Sequence, residues 1–183
     1  MYRIKNDKRT KRSIERITQG LTECLNKKKL TEIGVTEIAE VAGVSRATFY
    51  RIFDTPSDVL DCLCETIVQE LENSVSQTKL SEEEDYVLHY LRFLINHADS
   101  LKAIFRAGRM DLLEKAIRTR TDWMLPALAT DLSETEIDYV RCSFTAILMA
   151  ILYVWYQHGC RETAAELAGI LKKVRHEQDN FKN

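Results

Sequence analysis

The chain has 183 residues, of which 45% are hydrophobic, with only two prolines and six glycines. This composition is typical of a soluble globular protein and argues against a disordered or collagen-like one. Apolar residues recur at spacings of three and four nearly throughout, and strand-like alternation of Val, Ile and Thr does not occur. We therefore expect an all-α fold of about nine helices.

Charge is divided unequally along the chain. Residues 1–51 hold 12 Lys or Arg against six Asp or Glu, whereas residues 52–183 hold 14 against 22. A part of net charge +6 thus precedes a part of net charge −8. Such asymmetry is expected when one region binds a polyanion, and a merely solvated basic helix is the alternative explanation.

The five cysteines form no spacing typical of a disulfide framework or a zinc site. Cys62 and Cys64 lie about 200° apart around a helix, so they cannot chelate one ion together. We expect neither a metal nor a cofactor. The first residues lack a secretory apolar region, which favours the cytoplasm. The longest apolar run, Phe144–Tyr156, is shorter than the roughly 20 residues of a membrane span, so we expect no membrane segment.

The helical pattern begins at about residue 8 and continues to about residue 28. Two short helices follow, at about 35–42 and 45–53. A fourth begins at Thr55-Pro56-Ser57-Asp58, which combines an N-cap, a proline at the first helical position and an acid at the third, and it should reach about residue 76.

Three capping boxes predict later helix starts at about 82, 134 and 164. They pair Ser81 with Glu84, Ser133 with Glu136 and Thr163 with Glu166. Pro126 should kink or end the helix before it. No flexible linker interrupts the chain. We expect a helix-turn-helix domain at 1–54 and a helical effector and dimerisation domain at 55–183.

Residues 35–53 carry the pattern that predicts function. Gly43 supplies the positive φ that a tight turn between two helices needs, and Ser45 is a good N-cap for the second helix. The inward-facing positions are Ile38, Ala39, Val44, Phe49, Ile52 and Phe53. The outward-facing positions of the second helix are Arg46, Ala47, Thr48, Tyr50 and Arg51. Arg can pair with guanine, Thr can meet base edges and the Tyr hydroxyl can reach a phosphate, so this surface suits the DNA major groove.

Residues 9 to about 63 resemble the DNA-binding domain of the tetracycline repressor (TetR) family. The resemblance is carried by Ile38-Ala39, Ala42-Gly43-Val44-Ser45, Thr48-Phe49-Tyr50, Phe53, Asp58 and Leu60. It implies a recognition helix at about 45–52, with base contacts mainly from Arg46, Ala47 and Thr48, a phosphate contact from Tyr50 and a further contact from Thr36. The N-cap Ser45 and the outward-facing Arg51 complete the predicted DNA-binding set. The resemblance also implies a dimer on a palindromic operator, and repression relieved by a small molecule.

The chain departs from the family pattern at two positions. Pro56 stands where the family commonly has a lysine near the DNA backbone, and Gly34 stands where a Thr or Ser N-cap is usual. The basic arm is available to replace the lost cation. It consists of Arg3, Lys5, Lys8, Arg9, Lys11 and Arg12. Direct contact with DNA and plain disorder remain alternatives for this arm.

Beyond about residue 75 the prediction depends on helical periodicity alone. Helices at about 134–158 and 164–177 are apolar enough to form a four-helix homodimer interface, the family's usual arrangement. Candidates for lining a site for a small apolar or aromatic effector are Tyr90, Phe93, Phe105, Trp123, Met149 and Tyr153. At helical spacing the same residues fit an ordinary core.

Other classes of function find less support. No nucleophile elbow, phosphate loop, metal-ligand pair or triad occurs, which argues against an enzyme. The alternative is a DNA-binding adaptor of the same fold, whose carboxyl-terminal domain docks a protein partner. An internal pocket would favour an effector, whereas a packed core beneath an exposed apolar patch would favour a partner protein.

Overall fold

The computed structural model describes residues 8–78, 83–120 and 132–180. Within these ranges the chain folds into α-helices and one 3₁₀ turn, Leu30–Glu32, without any β-strand, so the all-α prediction is confirmed. The helices are α1 Lys8–Leu25, α2 Val35–Val41, α3 Arg46–Ile52, α4 Pro56–Gln77, α5 Glu83–Asn96, α6 Ala98–Arg106, α7 Met110–Thr119, α8 Glu134–Gln157 and α9 Ala164–Asn180.

Capping side chains begin the helices where the sequence predicts. Asp58 accepts hydrogen bonds from the backbone N–H and the hydroxyl of Thr55, at 2.8 and 2.9 Å, and α4 starts at Pro56. The Ser133–Glu136 and Thr163–Glu166 boxes form in the same way ahead of α8 and α9. The predicted Ser81–Glu84 box and the break at Pro126 lie outside the residues and side chains that the structure describes.

The chain divides into two compact units. One contains residues 1–66 and 99–116, and the other contains residues 67–98 and 117–183. The first unit therefore includes α1 to α3, the first half of α4, nearly all of α6 and most of α7. The functional division at 54/55 stays a prediction, and the compact unit is larger than the helix-turn-helix alone.

The first unit is closed by a close crossing of α1 and α2. Ile17 and Leu21 of α1 are 0% and 1% exposed. Gly20 lies between them, and a Cβ there would stand 3.0 Å from the Ala42 nitrogen and 3.1 Å from the Ile38 carbonyl oxygen. The two backbones thus approach so closely that a side chain at position 20 would force them apart.

Polar contacts join α6 and α7 to the other helices of the first unit. The Arg109 guanidinium donates to Ser57 Oγ at 2.6 Å and forms a bidentate pair with Asp111. Lys115 pairs with Asp61 at 3.6 Å, and Arg106 donates to Asn26. The hydrogen bond from Arg109 holds the pKa of Asp111 below its usual range. Residues 99–116 are therefore part of the framework around the helix-turn-helix.

The second unit has an aromatic core. Tyr90 of α5 is 2% exposed and packs with Leu71 and Val75 of α4, against which Phe93 and Phe144 also lie. The ring centroids of Tyr90 and Phe144 are 5.6 Å apart in an edge-to-face arrangement. Helix α5 also packs against α9. This core joins α4, α5 and α8 in one cluster.

Helix α8 carries an exposed apolar surface in the part of the chain that the structure describes. Tyr139, Ile147, Tyr153 and Val154 are 73%, 53%, 48% and 50% exposed. At about 100° per residue they fall within about 120° of the helix circumference. We name these four residues the α8 face. With 24 residues, α8 is also long and apolar enough to cross a membrane, a property that core helices of soluble proteins share. The helix is longer than the apolar run Phe144–Tyr156 on which the expectation of no membrane segment was based, and its length alone does not contradict that expectation.

Candidate nucleic-acid interface

The turn between α2 and α3 requires a left-handed residue. The Val44 N–H donates to the Ala39 carbonyl at 2.9 Å and the Gly43 N–H donates to the Glu40 carbonyl at 3.0 Å. This pair of bonds is a Schellman motif, which places its C′ residue in the left-handed region. Gly43 occupies that position with φ +59°. The turn predicted from the sequence is therefore present, and it fixes where α3 begins.

Ser45 caps the amino end of α3. Its hydroxyl accepts a hydrogen bond from the Thr48 backbone N–H at 3.1 Å, and the two hydroxyl oxygens are 2.9 Å apart. The Thr48 hydroxyl is thus held in place against Ser45. Since a hydroxyl has one donor and two acceptor sites, it keeps capacity for a further hydrogen bond.

Helix α3 has one buried and one exposed face. Phe49 and Ile52 are 0% and 1% exposed, and the Phe49 ring lies 5.8 Å from that of Phe53. Tyr50 is 47% exposed, although it is a large aromatic residue. Arg46, Ala47 and Arg51 of α3 and Thr36 of α2 are exposed as well, and Thr48 is half-buried. The predicted DNA-contacting residues of α3 therefore share its outer surface, whereas Thr36 lies on the preceding helix.

An open groove of about 440 Å³ adjoins α3, and four arginines line it. Arg9, Arg12 and Arg16 come from α1 and Arg51 from α3. The other residues of the lining are Ser13, Gly43, Val44, Ser45 and Thr48. We name this feature the arginine groove. No acidic residue is among the residues that line it.

Arg16 is a residue of the site that sequence reasoning missed. Its Nη2 donates to the Gly43 carbonyl at 2.9 Å, joining α1 to the turn before α3. The spacing of Arg9, Arg12 and Arg16 by three and four residues, which places them on one face of α1, was the available signal. Arg9 and Arg12 were predicted as part of a basic arm, and the structure places both in α1. Arg3 and Lys5 lie outside the described residues.

The effector candidates are distributed over both units. Tyr90 and Phe93 belong to the aromatic core of the second unit, and Met149 is buried in α8 of the same unit. Phe105 is buried in the first unit, and Tyr153 belongs to the exposed α8 face. Trp123 lies outside the described residues. Beside the aromatic core, Ser74 Oγ and His89 Nε2 are 2.9 Å apart, and burial lowers the pKa of His89.

The cysteines are all free thiols. Burial raises the pKa of Cys62 to about 11 and that of Cys64 to about 12. Over residues 8–78, 83–120 and 132–180, no group of three or more His, Cys, Asp or Glu side chains could hold a metal ion.

Several solved structures share this fold at low sequence identity. No protein-family model matches the sequence, and no curated protein matches it. The structure of Lin0861 from Listeria innocua is 16% identical, with a TM-score of 0.80 over 96% of each chain. A TetR transcriptional regulator from Streptococcus agalactiae is 17% identical, with a TM-score of 0.62 over 90% of this chain and 93% of that one. FadR from Thermus thermophilus, a TetR-family repressor in complex with lauroyl-CoA, is 20% identical, with a TM-score of 0.52 over 88% and 91%.

Proposed function

We propose, from the fold that this chain shares with TetR-family transcriptional regulators, that it is a DNA-binding transcriptional regulator of that type. The observation that carries the proposal is the outer surface of α3. Arg46, Ala47, Tyr50 and Arg51 are exposed there, while Phe49 is fully buried beneath them. A helix that is rigidly seated by its inner face and bears Arg, hydroxyl and small side chains outside suits the major groove.

Each outward residue has a role in this proposal. Arg46 reads guanine through its planar guanidinium, and Thr48 meets a neighbouring base edge beside Ala47. Tyr50 donates its hydroxyl to a backbone phosphate, and Arg51 supplies positive charge beside it. Thr36 makes a further backbone contact from α2, and Ser45 adds to its capping role a contact with the DNA. None of these proposed roles is catalytic. We place the protein in the cytoplasm, where it would meet its operator.

The regulator binds its operator as a homodimer. The α8 face exposes four large apolar residues, and Ile170 of α9 is 51% exposed as well. Monomeric proteins rarely leave such a contiguous apolar surface in water, so we infer that a second copy covers it through helices at about 134–158 and 164–177. Two recognition helices related by a twofold axis require a palindromic operator.

A small apolar or aromatic effector releases the DNA in this proposal, which makes the protein a repressor. Support comes from the aromatic core of the second unit, where Tyr90, Phe93 and Phe144 lie beside the polar pair Ser74 and His89. Effector sites combine apolar walls with a few polar groups, but this core is packed around Tyr90, which is 2% exposed, so an effector would have to move these side chains apart to enter. The structural neighbour from Thermus thermophilus is a repressor in complex with lauroyl-CoA, a molecule with a long apolar chain.

A second candidate function is a DNA-binding adaptor whose carboxyl-terminal helices dock a different protein. The same exposed α8 face favours it, because an apolar surface of this size suits any protein partner. The oligomeric state of an α8 variant distinguishes the two candidate functions. An Ile147→Asp variant should sediment as a monomer and lose operator binding if α8 pairs with a second copy. A matched Asn96→Asp variant, which adds the same charge at an exposed position at the end of α5 and outside that surface, should stay dimeric.

Selection of genomic DNA fragments on the purified protein tests the main proposal. Recovery of a palindromic sequence supports it, and recovery of no preferred sequence overturns it. The Arg46→Ala variant should then bind the selected sequence more weakly by roughly 1 to 3 kcal/mol and relax the preference at one position. Arg92→Ala, which removes the same charge from an exposed site on α5, is the control and should bind as wild type does.

A further inference from the structure

Three arginines of α1 and one of α3 face the same open groove. Arg9, Arg12 and Arg16 follow one another at spacings of three and four along α1, and Arg51 approaches from the last turn of α3. The apolar stripe of α1, which contains Ile17 and Leu21, lies on a different side of the helix. The four guanidiniums therefore form a group on the solvent side of the first unit, beside the recognition helix.

Among the described residues, no ion pair offsets the positive charge of this groove. The lining includes no carboxylate, and within the described ranges none of the four arginines forms an ion pair. The Arg16 bond to Gly43 uses a neutral carbonyl oxygen and leaves the charge uncompensated. Like charges held close together repel one another, so a bound anion would stabilise the four arginines in this arrangement.

We propose that the arginine groove holds one backbone phosphate of bound DNA in each protomer, and that Arg16 is the positioning residue that ties this phosphate site to α3. The inference depends on the proposed function and adds to it a second, sequence-independent contact. Arg16 bonds the Gly43 carbonyl through Nη2, and its other N–H groups donate to no group in the described residues. A planar guanidinium can bind both partners at once, because its donors point in fixed and separate directions.

This link fixes how α3 enters the major groove. The turn before α3 is held at Gly43 by the same side chain that borders the phosphate site. A phosphate seated in the groove therefore sets the distance and the angle between the DNA backbone and Arg46. Phosphate contacts position a protein on the duplex, whereas base contacts select the sequence. The groove also supplies positive charge beside the DNA backbone. In the family a lysine usually provides this charge at the position that Pro56 occupies here.

The salt dependence of non-specific DNA binding tests the groove. A random-sequence duplex is titrated with wild type, Arg12→Gln and Lys11→Gln at several salt concentrations, and binding is followed by fluorescence anisotropy. The two variants change neighbouring exposed residues and lose the same charge, but only Arg12 lines the groove. Arg12→Gln should lower the slope of log K against log salt by about 0.9 per protomer, while Lys11→Gln should change it much less.

Two substitutions at position 16 test the positioning role. Arg16→Lys keeps the charge, so it should retain the salt slope, but a single ammonium cannot bridge the Gly43 carbonyl and a phosphate as a guanidinium does, so it should weaken operator preference. Arg16→Gln loses the charge and shortens the side chain, so it should lower both. A role in folding alone would instead change the urea midpoint of the variant and leave the salt slope of the folded protein as in wild type, which would overturn the proposal.

The outcomes separate this inference from the proposed function. A wild-type protein that binds neither a selected operator nor the random duplex overturns both. If the wild type binds DNA but Arg12→Gln and Lys11→Gln lower the salt slope equally, only the groove proposal is overturned. The same holds if neither variant lowers the slope. A larger fall confined to Arg12→Gln supports it.

Discussion

Replacing Gly43 by Ala should destabilise the protein for two separable reasons. The residue has φ +59°, where an L side chain costs roughly 1 to 2 kcal/mol. A Cβ there would also clash with Arg16 Nη2, so the Arg16 side chain must move, and we expect its 2.9 Å bond to the Gly43 carbonyl to be lost. An exposed bond of this kind contributes about 1 kcal/mol, so the total loss should be about 2 to 3 kcal/mol.

Gly108→Ala is the matched control for the backbone part. Gly108 has φ +66° and ends α6 as Gly43 ends α2, but a Cβ there meets nothing within 4 Å. Its substitution should therefore cost only the conformational part, about 1 to 2 kcal/mol. The difference between the two glycine variants measures the contact with Arg16.

A double-mutant cycle completes the measurement. Urea unfolding at one fixed protein concentration gives the free energy of unfolding for Gly43→Ala, Arg16→Ala and the double variant. Because the Arg16 bond can be lost only once, the double variant should be more stable than additivity predicts by about 1 kcal/mol. Strict additivity, together with equal losses for Gly43→Ala and Gly108→Ala, would refute the contact between Arg16 and the turn.

Three further predictions concern other parts of the chain. Tyr50→Phe removes only the exposed hydroxyl and should weaken binding to all duplexes alike by about 1 kcal/mol in an anisotropy titration, and a loss confined to one sequence would contradict a phosphate role. Hydrogen bonds from Ser133 and Thr163 hold the pKa values of Glu136 and Glu166 below the usual 4.5, so the stability they contribute is complete above that pH and is lost as pH falls through the lowered values. The urea midpoint of Glu136→Gln should therefore fall less on acidification than that of wild type, and parallel curves would exclude the contribution. Cys62 and Cys64, whose pKa values are raised by burial to about 11 and about 12, should resist maleimide at neutral pH while exposed Cys142 reacts, as mass spectrometry of the labelled peptides would show. Equal labelling of the three thiols would show that α4 is less closely packed than the structure indicates.

Local signals made the helices and the turn predictable. The capping residues before α4, α8 and α9 act within four residues of themselves, and the Schellman turn at Gly43 also depends on neighbouring residues alone. The inward and outward faces of α3 followed from the positions of Phe49 and Phe53. Such short-range interactions are encoded in consecutive residues, so they can be interpreted without a structure.

Interactions between distant residues could not be predicted in the same way. The Arg16 bond to Gly43 spans 27 residues, and the Arg109 bond to Ser57 spans 52. Nothing in the periodicity of α6 or α7 indicates that they pack beside the helix-turn-helix, because an amphipathic helix shows which face is buried but not what covers it. The arginine groove was missed for the same reason, since its two walls come from helices separated in sequence.

The composition of the first compact unit has a consequence for synthesis and for engineering. Its two parts, residues 1–66 and 99–116, leave the ribosome separately. At about 5 to 20 residues per second, the partly built unit waits a few seconds for α6 and α7, with the surface that they cover still open to water or to a chaperone. A gene truncated after α4 would produce only this incomplete unit, without α6 and α7. Transplanting this proposed DNA-binding unit into another protein would therefore require α6 and α7 as well as the helix-turn-helix.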